Sequence, residues 1–329
     1  MMPKIYLIPV TDIEIGVVKL ERTMNETNLT NLPSDDLPDP DTIARYIFAD
    51  IAKTLSFNPR SLFFMTLRQI ATKPANKFAE ILLKVDRSLA EGDISKSSKM
   101  ALDYFTDGQE FIGLENVPRE GPLLVVANHP GAADSIGAFS CVSRRDSGIV
   151  AGKRPMLEVL PHISRHLIYL ESDPIGRMGN MRKIINKLKA GETVITFPRG
   201  LLEPDPALIP GALQSIKSWT ESMGIFLAKV PEARLLPLII SQTVVPKAWK
   251  HFFVSLAKTP KQRHQIAMIT QFAMQRLQHG NQWKVPIRIQ VGNAYDPREL
   301  SNSLDPREIN ESVRQMMSDL LLSAYPLNA

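Results

Sequence analysis

The chain has 329 residues, 44% of them hydrophobic and 22% charged, a composition typical of an ordered globular protein with a sizeable core. Its single cysteine excludes an internal disulfide, and no Cys or His spacing matches a zinc site, so we expect no bound metal. No stretch approaches the ~18 uncharged apolar residues of a membrane span, and acids interrupt the beginning where a signal peptide would be apolar. We therefore expect a cytoplasmic protein.

Positive charge is concentrated in the middle of the chain. The net charge is +5, although residues 1–50 hold nine acidic against four basic residues. Residues 141–200 contain eleven Lys and Arg against five acidic residues. This surplus suits phosphorylated ligands or an anionic membrane surface, where each favourable contact contributes about 1 kcal/mol. We expect peripheral binding to an anionic membrane and no nucleic acid partner, while a solvated basic face without a partner would carry the same charges.

The first hundred residues differ from the rest of the chain. The acidic, Pro-rich stretch 32–41 is typical of an exposed linker, and residues 42–91 carry apolar side chains at helical spacing. A second polar stretch, GDISKSSK, follows at 92–99. We therefore predict an acidic N-terminal segment and a small helical region over 1–100, and a larger domain over 101–329.

One helix of that region has two possible uses. Residues 61–68 present apolar side chains beside Arg60, Lys73 and Lys77, a combination that suits a helix lying in a membrane interface. The same pattern describes a helix packed on the larger domain.

From about residue 120, short apolar runs alternate with amphipathic segments of helix length. The runs Leu123–Ala127 and Leu235–Ile240 are apolar on both faces, as central strands covered by helices must be. The candidate strands are LLVVAN, GIVA, HLIYL, TVITF, RLLPLIIS and PIRIQVG. The candidate helices span about 135–143, 155–165, 178–190, 211–223, 261–279 and 306–323. This alternation predicts an α/β fold whose mostly parallel central sheet is covered by helices on both faces.

Ligands of open α/β sheets bind beyond the carboxyl ends of the strands, so the loops that follow strands are the candidate site. The first such loop holds His129 and Asp134, which a regular helix would separate by about 140°. Pro130 and Gly131 favour a tight turn that brings the carboxylate to the imidazole. Asp would then fix the tautomer and leave the other ring nitrogen free to accept a proton from a hydroxyl. A helix-capping His with a structural Asp would have the same spacing.

The second loop follows the run Thr193–Phe197 and contains Pro198, Arg199 and Gly200. A Pro-x-Gly turn brings backbone N–H groups close to a ligand, and Arg199 would clamp a phosphate. An ordinary strand-ending turn with a solvated arginine would have the same sequence.

Together, the two loops resemble motifs of the glycerolipid and lysophospholipid acyltransferase superfamily, which includes the 1-acylglycerol-3-phosphate acyltransferases. NHPGAAD at 128–134 resembles its H-x4-D box, and FPRG at 197–200 resembles its F-P-E-G block, in the same order. Lys153 resembles the lysine after the second strand of that family, and the run 235–240 resembles its closing strand. The resemblance covers about residues 100–295.

The resemblance implies an αβα fold and transfer of a fatty acyl group from acyl-CoA or acyl-carrier protein to a hydroxyl of a lysophospholipid, glycerol phosphate or related lipid. It implies no cofactor and no covalent acyl-enzyme. His129 would deprotonate the acceptor, Asp134 would orient His129, and backbone donors would stabilise the oxyanion. Asn128, Lys153 and the block Phe197, Pro198, Arg199 and Gly200 would bind substrate.

The sequence departs from the family pattern twice. Arg199 stands where the family has Glu, so Glu203, four positions later, would supply the carboxylate. The arginine that contacts the acceptor phosphate in the family is missing after the run Ile168–Leu170. Either the acceptor lacks a phosphate, or Arg177, Arg182 or Arg199 replaces that arginine.

Two other functions fit parts of the sequence. Ala133–Gly137 approximates G-x-S-x-G, which would make Ser135 the nucleophile of a serine esterase or lipase, although NHPGAA separates it from the preceding strand. A non-enzymatic lipid-binding protein would share the apolar pocket and basic surface but would not need His129.

Overall fold

The computed structural model describes most of the chain after residue 36, namely residues 37–55, 58–131, 133–171, 173–277 and 281–325. Most of the predicted acidic N-terminal segment, residues 1–36, lies outside these ranges. No helix within them is long and apolar enough to cross a bilayer.

Three helices precede the sheet: α1 (Pro40–Leu55), α2 (Leu62–Ala90) and α3 (Ile94–Phe105). The side chains of Ser61 and Asp93 cap α2 and α3 by accepting backbone N–H groups of the first turn. Helix α1 packs on α2 through a small apolar cluster, which consists of Ala44, Phe48, Ala52, Phe64 and Ala75.

Within the described residues, seven strands form one sheet. They are β1 (Thr106–Ile112), β2 (Leu123–Ala127), β3 (Ser147–Gly152), β4 (Leu167–Leu170), β5 (Thr193–Thr196), β6 (Arg234–Ser241) and β7 (Val285–Val291). The order is β1-β7-β6-β2-β5-β3-β4, and every neighbouring pair is parallel except β6 and β7. The mostly parallel sheet predicted from sequence is confirmed.

Strand β1 lies outside the predicted strands. Its sequence, TDGQEFI, is polar because the strand is at the edge of the sheet and most of its side chains are partly exposed. A polar edge strand lacks the apolar signal on which strand prediction depends.

Helices cover both faces of the sheet. They are α4 (Asp134–Val142), α5 (Pro155–Glu158), α6 (Pro161–Arg165), α7 (Pro174–Lys189), α8 (Ala212–Lys217), α9 (Ser222–Lys229), α10 (Pro246–Trp249), α11 (Phe252–Ser255), α12 (Pro260–Leu277), α13 (Pro297–Leu300) and α14 (Pro306–Ala324). The helix predicted at 155–165 is two short helices, since Pro161 starts a new one.

The two core layers divide the side chains of the central strands. In β2, Leu123 and Val125 pack in the layer that contains α3 and α4. Leu124 and Val126 pack in the opposite layer, with α7, α9 and α14. All four are fully buried, as residues of a central strand covered on both sides must be.

Gly224 allows α9 to pack closely against the start of α14. A Cβ at this position would lie 1.9 Å from the carbonyl oxygen of Pro306, a backbone atom that cannot rotate away.

We expect Gly224→Ala to lower the free energy of unfolding by about 1–3 kcal/mol, measured by chemical denaturation. Gly179 is the matched control, because no atom lies within 4 Å of its added Cβ. Gly179→Ala should stabilise helix α7 by up to about 1 kcal/mol, and equal effects of the two changes would contradict this packing argument.

Candidate active site

The candidate site lies where two central strands end side by side. Strands β2 and β5 are parallel neighbours, with Val126 paired to Thr196. The loop that begins at Asn128 and the loop that begins at Phe197 therefore leave the sheet at the same edge. This is the edge at which ligands of α/β sheets bind.

A buried carboxylate holds the imidazole of the first loop. The Nδ1 atom of His129 lies 2.7 Å from Oδ2 of Asp134, and the same oxygen accepts the N–H of Gly131 at 2.8 Å. The Asp134 side chain is fully buried, while 29% of the His129 side chain is exposed. Gly131 is required in this turn, since an added Cβ would lie 2.6 Å from the hydroxyl oxygen of Thr243. The turn predicted from Pro130-Gly131 thus brings the two side chains together.

The hydrogen bond determines which ring nitrogen can act as a base. Because the Asp134 carboxylate accepts, Nδ1 of His129 carries the proton and the neutral ring has its lone pair on Nε2. Among the described residues, none forms a hydrogen bond with Nε2, and the ring lines a cavity. This pair can therefore accept a proton from a hydroxyl group bound in the cavity.

The environment raises the pKa of His129. Burial lowers this pKa, but the carboxylates of Asp134 and Glu203 more than offset that effect. Arg154, on the wall of the same cavity, acts in the opposite direction. The net result is a pKa above the ordinary value of 6.5.

Glu203 fixes the backbone at the histidine. Its Oε1 accepts the N–H of His129 at 3.1 Å, and its own N–H donates to the carbonyl of His129 at 2.8 Å. The other oxygen accepts the hydroxyl of Ser215 at 2.6 Å and the indole N–H of Trp219 at 2.8 Å. Burial raises the pKa of Glu203 despite these hydrogen bonds. Glu203 thus lies behind the histidine and joins the two loops.

The cavity in front of His129 has a volume of about 490 Å³ and a mostly apolar wall. The ring of Phe197 lies 4.8 Å from the ring of His129, between their centres. Other apolar side chains come from several elements: Ile51, Val150, Met156, Leu157, Leu170, Leu201, Leu202, Met268, Ile269 and Phe272. The polar part of the wall includes Asp50, Arg154, Lys261 and Gln265, so the cavity suits an apolar ligand with a polar end.

The helical region before the sheet closes one side of this cavity. Asp50 of α1 forms an ion pair with Arg154 at 2.5 Å, and Ile51 lines the cavity. Residues far apart in sequence therefore form one wall.

The other predicted substrate-binding residues occupy varied positions. The amide of Asn128 is buried and exchanges two hydrogen bonds with the backbone of Ile240, at 2.7 and 2.8 Å, which ties β2 to β6. Lys153 forms an exposed ion pair with Glu171 at 2.8 Å and is not among the side chains of the His129 cavity.

The FPRG block forms a tight turn beside the histidine. The N–H of Gly200 donates to the carbonyl of Phe197 at 2.9 Å, and Gly200 has a φ of +67°. The carbonyl of Pro198 accepts the N–H of Thr220 at 3.2 Å. The guanidinium of Arg199 donates to the hydroxyl of Ser215 at 3.1 Å, and Arg199 lines a neighbouring cavity.

Ser135 lines the His129 cavity, but its hydroxyl is hydrogen-bonded to the carboxylate of Asp134. It donates to Oδ1 of Asp134 at 3.1 Å, and its backbone N–H donates to the same atom at 2.5 Å. Nδ1 of His129 is also bound to Asp134, so the order of contacts is serine, aspartate, histidine. A serine nucleophile would instead donate to the histidine.

Three residues near the site carried no signal in sequence. Arg154 follows the predicted Lys153, lines the His129 cavity and forms an ion pair with Asp50. Lys261 and His264 belong to helix α12, far from the motifs. The imidazole of His264 is buried and donates its Nε2–H to the carbonyl of Pro130 at 2.8 Å, a contact that no spacing predicts.

Comparison with known proteins points to one family. A sequence model of the Acyltransferase family matches residues 109–226, which include both loops. The 1-acyl-sn-glycerophosphate acyltransferase PlsC from Thermotoga maritima has a solved structure that is 17% identical to this chain. The match covers 86% of this chain and 95% of that chain, with a TM-score of 0.45. No curated protein matches the sequence.

The pKa of His129 provides a test of its pairing with Asp134. NMR titration of the histidines should give His129 a pKa above 6.5, because the carboxylates outweigh burial. Asp134→Asn should lower that pKa, since burial remains while the nearest negative charge is lost. Asp173→Asn is the control, because Asp173 is exposed and caps α7. The same fall in both variants would mean that Asp134 has no special influence.

Proposed function

We propose that this chain, whose residues 109–226 match the Acyltransferase family, moves a fatty acyl group from a thioester, acyl-CoA or acyl-carrier protein, to a hydroxyl of a lipid acceptor. The acceptor would be a lysophospholipid, glycerol phosphate or a related lipid, and the reaction would serve phospholipid biosynthesis. The observation that carries the proposal is the hydrogen bond from Nδ1 of His129 to buried Asp134, beside an apolar cavity.

In this reaction, Nε2 of His129 takes the proton from the acceptor hydroxyl as its oxygen attacks the thioester carbonyl. Asp134 stabilises the imidazolium that forms. The tetrahedral intermediate collapses, the carbon–sulfur bond breaks, and the imidazolium returns the proton to the leaving thiolate. No covalent acyl-enzyme is required.

The cavity wall is suited to both parts of the intermediate. Apolar side chains such as Met156, Leu157 and Ile269 would surround the acyl chain. Backbone N–H groups of the loops would stabilise the oxyanion, since the guanidinium of Arg154 is already paired with Asp50. Neither Arg177 nor Arg182 lines this cavity, so we do not assign an acceptor phosphate to them.

A serine hydrolase is the second candidate, and the contacts of Ser135 argue against it. Its hydroxyl donates to Asp134 rather than to the imidazole, so the base is not aligned to activate it. A non-enzymatic lipid-binding role does not account for the buried carboxylate that is hydrogen-bonded to His129.

We also propose that the protein acts at the cytoplasmic face of an anionic membrane as a peripheral protein. The first turns of α2 support this, because Leu62, Met65 and Ile70 are 80%, 53% and 60% exposed. Arg60 and Arg68 are exposed in the same region. Apolar side chains beside cations are what an interfacial helix requires.

Replacement of His129 tests the catalytic proposal. We expect His129→Ala to lower the rate of acyl transfer by roughly 10²–10⁴ while donor binding is nearly unchanged, because the acceptor hydroxyl loses its base. The raised pKa of His129 further predicts that kcat/KM falls as the pH drops through a value above 6.5, since the protonated ring cannot accept a proton. Ser135→Ala should retain transfer. The rate is measured with labelled acyl-CoA and a panel of lysolipids. If His129→Ala transferred the acyl group at the wild-type rate, this mechanism would be wrong.

Vesicle sedimentation tests the membrane proposal. The protein should bind anionic vesicles more tightly than neutral ones, and binding should weaken with salt, because the Debye length is ~10 Å at 0.1 M. The triple variant Leu62→Ser/Met65→Ser/Ile70→Ser should bind anionic vesicles more weakly than the wild type, since apolar contact with the membrane is lost. Leu114→Ser, at a separate exposed leucine, is the control. Equal recovery with neutral and anionic vesicles would count against the proposal.

A further inference from the structure

A second cavity adjoins the cavity of His129. It has a volume of about 640 Å³, and the two cavities share Leu201, Leu202 and Lys261 in their walls. The two cavities therefore lie on either side of these three side chains.

The wall of the second cavity is strongly basic. Its cationic side chains are Arg199, Lys258, Lys261 and Arg263, and no Asp or Glu is among the described residues that line it. Within the described part of the chain, none of Lys258, Lys261 and Arg263 forms an ion pair. All three residues are exposed, and an anion bound among them would be attracted by each.

The backbone adds to the positive potential. Helix α12 begins at Pro260, at the wall of the cavity, and its first turn contains no acidic residue. Lys261 lies in that turn, where the positive end of the helix dipole disfavours a cation and favours an anion. An anion bound at this point would interact favourably both with the start of the helix and with the cations that form no ion pair.

The basic wall is fixed to the catalytic loop. His264, next to Arg263 in sequence, donates its Nε2–H to the carbonyl of Pro130 at 2.8 Å. Arg263 is also held in place, because its guanidinium lies 4.5 Å from the centre of the Trp249 ring. Arg263 therefore lies on a segment that is fixed to the loop of His129.

We infer that the second cavity binds the phosphate groups of a coenzyme A donor while the thioester lies beside His129. This inference rests on the proposed function. A set of four cations suits a ligand with several phosphates, which coenzyme A has, better than the single phosphate of a glycerolipid acceptor. The donor would then be acyl-CoA rather than acyl-carrier protein, and Arg199, which is in the FPRG block, would serve donor binding.

Binding of free coenzyme A, measured by calorimetry, tests the inference without requiring catalysis. The double variant Lys258→Gln/Arg263→Gln should raise the Kd by about 10–100-fold, as two charge-assisted contacts are lost. The matched control is Arg119→Gln/Lys189→Gln, which also removes two exposed positive charges. Arg119 precedes β2 and Lys189 ends α7 before β5, so both are at the amino end of the sheet. This control should leave the Kd within about 2-fold, which is the change expected from net charge alone.

Three further measurements identify the phosphate that is bound. For coenzyme A without its 3′-phosphate, the Kd values of the wild type and of Lys258→Gln/Arg263→Gln should differ less than they do for coenzyme A. For pantetheine, which has no phosphate, the two Kd values should be equal. Lys258→Gln/Arg263→Lys should regain part of the affinity that the double variant loses, which excludes unfolding as the cause. An unchanged Kd for coenzyme A, an equal loss in the control variant, or an effect confined to the KM of a phosphorylated acceptor would each overturn the inference. Tight coenzyme A binding without transfer would instead contradict the proposed function and leave this cavity assignment standing.

Discussion

The site depends on the buried carboxylate of Asp134. It is fully buried and accepts hydrogen bonds from Nδ1 of His129, the N–H of Gly131 and the N–H and hydroxyl of Ser135. A carboxylate removed from water is stable only if such donors surround it. The same interactions close the turn, start helix α4 and orient the imidazole. A change to the Asp134 carboxylate would therefore alter both the local fold and the chemistry of the site.

The second buried carboxylate extends this arrangement to the neighbouring strand. Glu203 bonds the backbone of His129 in both directions and accepts from Ser215 and Trp219. It thereby joins the loop after β2 to the loop after β5. Both carboxylates also act on His129 electrostatically and raise its pKa. A histidine whose pKa is raised in this way is a stronger base than a free one, although a larger fraction of it is protonated near neutral pH.

Sequence reasoning reached the central strands and the His129 turn because both depend on local patterns. Leu123–Ala127 is apolar on both faces, and Pro-Gly between His and Asp specifies a bend within a few residues. It missed β1, whose edge position permits polar side chains. It also missed Lys261 and His264, since their roles come from tertiary packing of α12 against the loop at Pro130. Asn128 has side-chain contacts with the backbone of Ile240, and no local pattern indicates such a pairing.

The ion pair between Asp50 and Arg154 has a consequence for how the molecule can be divided. The family match begins at residue 109, so α1 lies before it, yet Ile51 contributes to the wall of the His129 cavity. A truncated chain that starts at β1 would keep the histidine, both carboxylates and the sheet. It would also have a cavity open to water on one side, where an apolar ligand gains less from burial. Such a fragment would retain the reactive groups and lose part of the apolar wall in front of them.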